Sequence, residues 1–348
     1  MFDKKVVQIL EKAYAKVALT KEDCIYLLKL DRNSTEANIV RAAANDLIRK
    51  RTNNSAAIFG QIGVEAFPCE ADCSFCSFGK SHTSFSPIRV ERDTIAQKIH
   101  DFCKGGDLYG LYMMTMHTYD LDFFLDVVKI AKENVIGGTK LFSNVGDTSY
   151  EAFVQMKAAG IDGVYHVCRL GEGEYTKLSP KDRFKTMENA KAAGLDLLDC
   201  VEPIGTEHTA EELVDRIFLS LEMECIQTGC MKRVAVPGTP LAKYGQISDF
   251  ELGYILAVQS LAIMQAKAFP VIGVHEPNEI GYVSGGNMIC AETGINPRDT
   301  EADTAANRGL DVDACRRILF ESGFERLYKG DGTTVELNEK YIKECFEK

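Results

Sequence analysis

The stretch that decides the fold runs Ala56-Ala57-Ile58-Phe59-Gly60-Gln61-Ile62-Gly63-Val64-Glu65, then Ala66-Phe67-Pro68, then Cys69-Glu70-Ala71-Asp72-Cys73-Ser74-Phe75-Cys76. The first part is β-branched and apolar and predicts a strand over Ala56 to Glu65. That strand delivers three cysteines, spaced C-x3-C-x2-C, into the loop behind it. Three thiolates in one loop are a poor disulfide framework and a good ligand set for a soft metal. Clusters of the four-iron type are held by cysteine thiolates, as a rule four of them. A set of three leaves one iron open.

Downstream, strand and helix signals alternate. Strands are predicted over 108–114, 139–146, 163–168, 195–201, 233–236, 270–274 and 285–291. Helices fall between them, at 93–102, 122–134, 150–159, 181–193, 210–224 and 250–268. Gly160 and Gly194 close two of the helices, each just ahead of a strand, as left-handed stops do. Strict alternation argues for a parallel sheet with outer helices. About thirty residues per unit suits a (β/α)8 TIM-type barrel. Periodicity cannot count closure, so a doubly wound open sheet fits the same alternation.

Residues 1–55 read as an N-terminal helical cap, with Val6, Leu10, Ala13 and Val17 at helical spacing and Thr20 and Ser34 as N-caps. The barrel is expected over 56–296, and a charged helical tail, then polar, over 297–348. In such a barrel chemistry gathers at the carboxyl ends of the strands. The unusual polar residues sit there: the three cysteines, His117, Asn144 and Asp147, Cys168, Arg169 and Glu172, Glu202 and Glu207, Thr239, and His275, Glu276 and Asn278.

Composition narrows the partners. The chain has 348 residues, 45% hydrophobic and 26% charged, with a net charge of −11. That charge argues against nucleic acid or an anionic membrane as partner. No apolar run reaches spanning length and the start does not open a signal peptide, so a cytoplasmic protein is expected. In a reducing cytosol its 12 cysteines are thiols, ligands or redox groups. Cys24, Cys103, Cys315 and Cys345 read as packing thiols. A structural zinc site, the plain alternative for the cysteine loop, wants two paired motifs. The only other close pair, Cys225 and Cys230, falls at the opposite end of the expected barrel.

Cys69-x3-Cys73-x2-Cys76, with aromatic Phe75 before the last cysteine and a barrel strand ahead, resembles the cluster loop of radical S-adenosylmethionine (SAM) enzymes. In that family three cysteines hold a [4Fe–4S] cluster and SAM chelates the fourth iron. One electron then yields a 5′-deoxyadenosyl radical that takes hydrogen from an unactivated carbon; the cofactors carry the hard chemistry. Over residues 56 to 320 the chain is similar to the biotin synthase-like group, which includes methylornithine synthase and a hydrogenase-maturation enzyme. Pro68 to Cys73 resembles the cluster loop of biotin synthase, Pro237-Gly238-Thr239-Pro240-Leu241 its "GTPL" segment, and Gly285-Gly286-Asn287 its "AGAN" segment. The resemblance implies that Arg183 binds the SAM carboxylate, that Glu172 binds the ribose, and that Phe75, Glu202 and Thr239 complete the cofactor site. A solvated helix arginine and a loop carboxylate are the plain readings of Arg183 and Glu172.

The chain departs from biotin synthase where that enzyme ligates its second, sacrificial cluster. Tyr112-Met113-Met114, Leu141-Phe142-Ser143 and Val271-Ile272-Gly273 carry none of the ligands. Cys168, Cys200 and Cys290 lie near the ends of strands four, five and eight. They are inert buried thiols or the ligands of a differently built auxiliary cluster. His117, Asn144, Arg169, His275 and Glu276 are the expected substrate residues. Three functions follow. The first expectation is sulfur insertion of the biotin or lipoyl kind, fed by an auxiliary iron–sulfur cluster. The second is a one-cluster mutase or lyase on a small amino-acid-like substrate. The third is a non-catalytic iron–sulfur carrier, which would need neither the polar mouth nor the SAM-like segments. The implied partners are a small-molecule substrate or small carrier-bound acyl group, and an electron donor such as flavodoxin or ferredoxin.

Overall fold

In the computed structural model, which describes residues 3–83, 86–266, 271–298 and 309–346, the strand ahead of the cysteines is the seam of a barrel. The strands are β1 (Ser55–Gly63), β2 (Gly110–Met114), β3 (Lys140–Asn144), β4 (Gly163–Tyr165), β5 (Asp196–Leu198), β6 (Gln227–Lys232), β7 (Val271–His275) and β8 (Met288–Gly294). Each pairs in parallel with the next. β8 returns to β1 in unbroken register from Ala57↔Met288 to Gly63↔Gly294. The sheet therefore closes, and the open-sheet alternative falls. β5 breaks at Asp199-Cys200 and resumes as Val201–Ile204 against β6.

Period-two alternation divides each strand between two cores. Outward residues such as Ile58, Ile62, Leu111, Met113, Leu141 and Val164 pack under the helices. Inward residues make a separate cluster: Ala57, Phe59, Tyr109, Tyr112, Phe142, Leu198, Val271, Met288 and Cys290. Phe59 stacks on Tyr109, Tyr112 and Phe142 at 5.0, 5.4 and 5.8 Å between ring centroids. Such pairs add about 0.5–1.5 kcal/mol each beyond burial. The floor is thus plugged, and only the layer above it is open. Gly110 makes room for one of these rings: a Cβ there would stand 2.2 Å from Phe142.

The helices end where their residues say. Thr209 and Glu212 form a reciprocal capping box on Ala210–Glu222. Ser149 caps Tyr150–Ala159, which Gly160 ends in the left-handed region. Helices Lys4–Tyr14, Lys21–Leu28 and Thr35–Thr52 share one hydrophobic core with the barrel. The Tyr254 hydroxyl donates to Leu27 O at 2.7 Å, and Arg49 donates to Ser322 O and Gly323 O.

Three expectations need correction. The sixth strand is Gln227–Lys232, not 233–236. Its mixed sequence hides it, but the inward Gly229 packs against Gly273, whose carbonyl would lie 2.4 Å from an added Cβ. Arg233 to Val236 instead form no strand. The polar end of the tail forms a hairpin, Arg326–Tyr328 with Thr334–Glu336, that extends the start of β1. Strands of three residues carry no periodicity to read. A second hairpin, Glu65–Ala66 with Ile88–Arg89, was also not foreseen. The predicted helix end at 267–268, Pro270, and residues 299–308 of the tail lie outside the described residues.

The helix Val312–Glu321 is fastened under the barrel by Arg316, which grips Asp107 with Nε–Oδ2 2.7 Å and Nη2–Oδ1 2.6 Å. Tyr341 also donates to Asp107. Both charges are essentially inaccessible to water. Asp107→Ala leaves the buried Arg316 guanidinium with Asp313 alone and should cost about 3 kcal/mol. Urea unfolding of the variant measures this; a loss below about 1 kcal/mol would mean the pair behaves as a surface one.

Candidate active site

The loop after β1 is held by its own backbone and by three neighbouring loops. Cys69 N donates to Phe78 O at 2.7 Å and Lys80 N to Cys69 O at 3.0 Å, while Asp72 takes φ 49° to turn the chain. Ser74 N donates to Tyr175 O, Leu241 N to Ser74 O, and Ser77 N to Pro297 O, at 2.8, 3.0 and 2.9 Å. Cys69, Cys73 and Cys76 all face one cavity of about 1210 Å3, open to solvent. Burial pushes the Cys73 thiol up to about 11 and Cys76 higher still; the neighbouring thiols add to both. Among the described residues no three His, Cys, Asp or Glu side chains close on one point, as the ligands of a single ion do. A cubane offers separate iron corners, so thiols spread round one cavity fit a cluster better than a zinc ion.

The cavity floor is the inward layer one step above the aromatic plug: Gln61, Met114, Asn144, Tyr165, Glu202, Met231 and His275. Two buried arginines stand over it. Arg169 Nε meets Glu202 Oε1 at 3.1 Å, and Tyr165 donates its hydroxyl to Glu202 Oε2 at 2.5 Å. Burial alone would lower the Arg169 pKa, but Glu202 and Glu172 outweigh it and the net shift is upward. Arg183 donates to Val167 O at 2.9 Å and to Asp147 Oδ1 at 2.8 Å. Glu172 lies between the two arginines, 3.8 Å from Arg169 and 3.6 Å from Arg183. His117 lines the cavity with Nδ1 buried and without a hydrogen-bond partner. Burial lowers its pKa, against Asp147, so it is a neutral imidazole near neutral pH. Gly146 is required beside it, because a Cβ would fall 1.7 Å from His117 O.

Of the residues singled out from the sequence, Cys69, Cys73, Cys76, Phe75, His117, Asn144, Arg169, Arg183, Glu202 and His275 line this one cavity. Glu172, Thr239 and Glu276 are not in its wall. Glu172 accepts from Arg169 N and Thr176 Oγ1, inside its own loop. Thr239 donates to Val236 O and holds the turn that touches Ser74 through Leu241. Glu276 faces Arg298 at 3.4 Å. Cys168, Cys200 and Cys290 are buried outside the wall. Cys168 is turned toward Arg216, Cys200 lies against Tyr165 and near Glu202, and Cys290 belongs to the plugged floor.

Tyr165, Gln61, Met231 and Arg298 were missed. The first three follow from alternation once the strands are placed, since each shares its inward parity with a floor or mouth residue. Arg298 had no local signal: it reaches the cavity from beyond β8 and is held by Glu292 and Glu276.

Comparison with known proteins adds the class. No family model matches the chain. Biotin synthase from Clostridioides difficile (strain 630) is 21% identical over 338 residues, covering 93% of this chain and 99% of that protein. Biotin synthase from Clostridium perfringens (strain 13 / Type A) is 25% identical over 285 residues, covering 75% and 82%. Among solved structures, methylornithine synthase matches with a TM-score of 0.74 at 18% identity, over 91% of this chain and 96% of its own. The FeFe-hydrogenase maturase HydG from Carboxydothermus hydrogenoformans matches with a TM-score of 0.75 at 15% identity, over 92% and 79%. The two structures speak for the (β/α)8 fold. The sequence relatives and the cysteine loop together support a radical SAM enzyme similar to the biotin synthase-like group. Enzymes of that group use a [4Fe–4S] cluster and SAM.

The Glu202 carboxylate joins Arg169 to Tyr165 at the centre of the mouth. Glu202→Gln keeps the shape and removes the charge, so Arg169 is left with Glu172 alone. Differential scanning calorimetry should show the loss of about 3 kcal/mol that a broken buried pair costs.

Proposed function

We propose that this radical SAM enzyme carries one cluster, on Cys69, Cys73 and Cys76, and acts at a C–H bond of a small amino-acid-like molecule. The observation that supports it most is the meeting of three thiols with Arg169, Arg183 and Glu202 at the carboxyl ends of the strands. When bound, the cluster and SAM supply the 5′-deoxyadenosyl radical that takes the hydrogen. Arg183, fixed in place by Asp147 and Val167, offers its guanidinium to the SAM carboxylate. Phe75 gives the cofactor an apolar wall. Glu172 acts one step back, aligning Arg169 and Arg183, and Thr239 steadies the turn beside the cysteine loop. Asn144, His117, Arg169 and His275 present polar atoms to the substrate.

A zwitterionic substrate suits a wall that mixes cations, Arg169 and Arg298, with carboxylates, Glu65 and Glu202. A rearrangement or cleavage of such a molecule is favoured over sulfur insertion. What favours it is that Cys168, Cys200 and Cys290 do not line the cavity. Glu276 supports the substrate end by holding Arg298. The one-electron donor is a flavodoxin or ferredoxin, and the substrate is free rather than carrier-bound. Among the described residues no helix is long and apolar enough to cross a membrane. The twelve free thiols fit the reducing cytoplasm.

The deciding experiment is anaerobic reconstitution, with iron counted and SAM cleavage followed under dithionite. About four irons per chain are expected, as one cubane holds. They should be lost in Cys69→Ala, Cys73→Ala or Cys76→Ala, and retained in Cys168→Ala, Cys200→Ala and Cys290→Ala. A second complement of iron that Cys168→Ala or Cys200→Ala removes would restore the sulfur-insertion reading. No cleavage of SAM by the loaded protein would end both. Arg183→Met should weaken SAM binding at least about tenfold, or about 1.4 kcal/mol, by equilibrium dialysis on the loaded protein.

A further inference from the structure

We infer that Tyr165 is a catalytic residue of this cavity, which hands its phenolic hydrogen atom to a carbon-centred radical formed there. The inference rests on the radical SAM reading and adds a residue that the sequence did not suggest.

Tyr165 ends β4 and points inward, yet it is not packed away like the rings below it. It is only partly buried, and its ring is part of the cavity wall. Its hydroxyl donates to Glu202 Oε2 at 2.5 Å, and Arg169 holds the other carboxylate oxygen at 3.1 Å. The phenol therefore has one fixed orientation and a carboxylate on the same oxygen. Burial, with Glu202 beside it, keeps the O–H intact at any working pH.

The step balances as follows. The tyrosine O–H bond breaks homolytically and a C–H bond forms. The carbon radical is reduced by one hydrogen atom and the phenol is oxidised to a neutral tyrosyl radical. A phenolic O–H is weaker than an alkyl C–H, so the transfer runs downhill. One electron from the one-electron donor that the reaction already requires, and one proton relayed through Glu202, restore the phenol.

Two neighbours are the natural rivals. Tyr112 stands edge-on to Tyr165 at 5.7 Å between centroids, but it is only 3% exposed and donates its hydroxyl to Gln227. The Cys200 thiol is in hydrogen-bond contact with the Tyr165 side chain but does not line the cavity.

The test needs no substrate. Loaded enzyme is mixed with SAM and dithionite in D2O and frozen at intervals. We expect 5′-deoxyadenosine carrying one solvent deuterium by mass spectrometry. An electron paramagnetic resonance signal of a tyrosyl radical should accompany it and narrow when the protein is made with ring-deuterated tyrosine. Both should be lost in Tyr165→Phe and kept in Tyr112→Phe and Cys200→Ala. Unchanged iron content in Tyr165→Phe separates this loss from misfolding. The inference alone is overturned by 5′-deoxyadenosine free of solvent deuterium, by signals that persist in Tyr165→Phe, or by signals that vanish in Cys200→Ala instead. If the wild type forms no 5′-deoxyadenosine, the radical SAM reading falls, and the inference with it.

Discussion

Everything at the mouth depends on the register in which β8 closes onto β1. From Ala57↔Met288 to Gly63↔Gly294 the two strands run side by side without a bulge. Side chains alternate with period two, so a slip of one residue would exchange the inner and outer faces of a strand. Ile58 and Ile62 would then enter the barrel, and Phe59 and Gln61 would face the helices. The two separate cores show that the register is right for both faces at once. Closure in this register also sets level: Phe59 pairs with Gly110 and Cys290, and Gln61 with Tyr112 and Glu292.

That stacking of levels explains why charge can collect at one end only. The plugged floor excludes water from below, and the mouth residues must satisfy one another or a ligand. Moving a guanidinium into such surroundings is expensive unless a carboxylate accompanies it. Arg169 has Glu202 and Glu172, Arg183 has Asp147 and Glu172, and Arg298 has Glu292 and Glu276. Well-packed apolar residues would serve stability as well or better. Three paired arginines over one cavity therefore read as a site for anionic groups rather than as a fold requirement.

Much of this was legible before any coordinates. The alternation of strands and helices was readable because parallel barrel strands are continuous apolar runs between capped helices. The sixth strand was misplaced because Gln227-Thr228-Gly229-Cys230-Met231-Lys232 has small and polar residues on both faces, while Val234-Ala235-Val236 looks apolar but forms no strand. The terminal hairpin was too short to show a period. At the site, a loop motif survives in sequence because its three cysteines are neighbours in the chain. Arg183 was found through resemblance, Arg169 through its place at a strand end, and Glu202 through both. Tyr165 and Arg298 were not found at all, since nothing local separates a cavity tyrosine from a core one.

The sequence by itself determined the repeating unit, the cysteine loop and the end of the sheet where polar residues gather, because each is written in contiguous residues. Tertiary structure alone decided what those residues meet. Closure turned Glu202 toward both Arg169 and Tyr165 and left Glu172, Thr239, Cys168, Cys200 and Cys290 out of the wall. Such outcomes depend on which of two faces each strand presents, and at what height. Only the register between strands far apart in the chain fixes those two quantities.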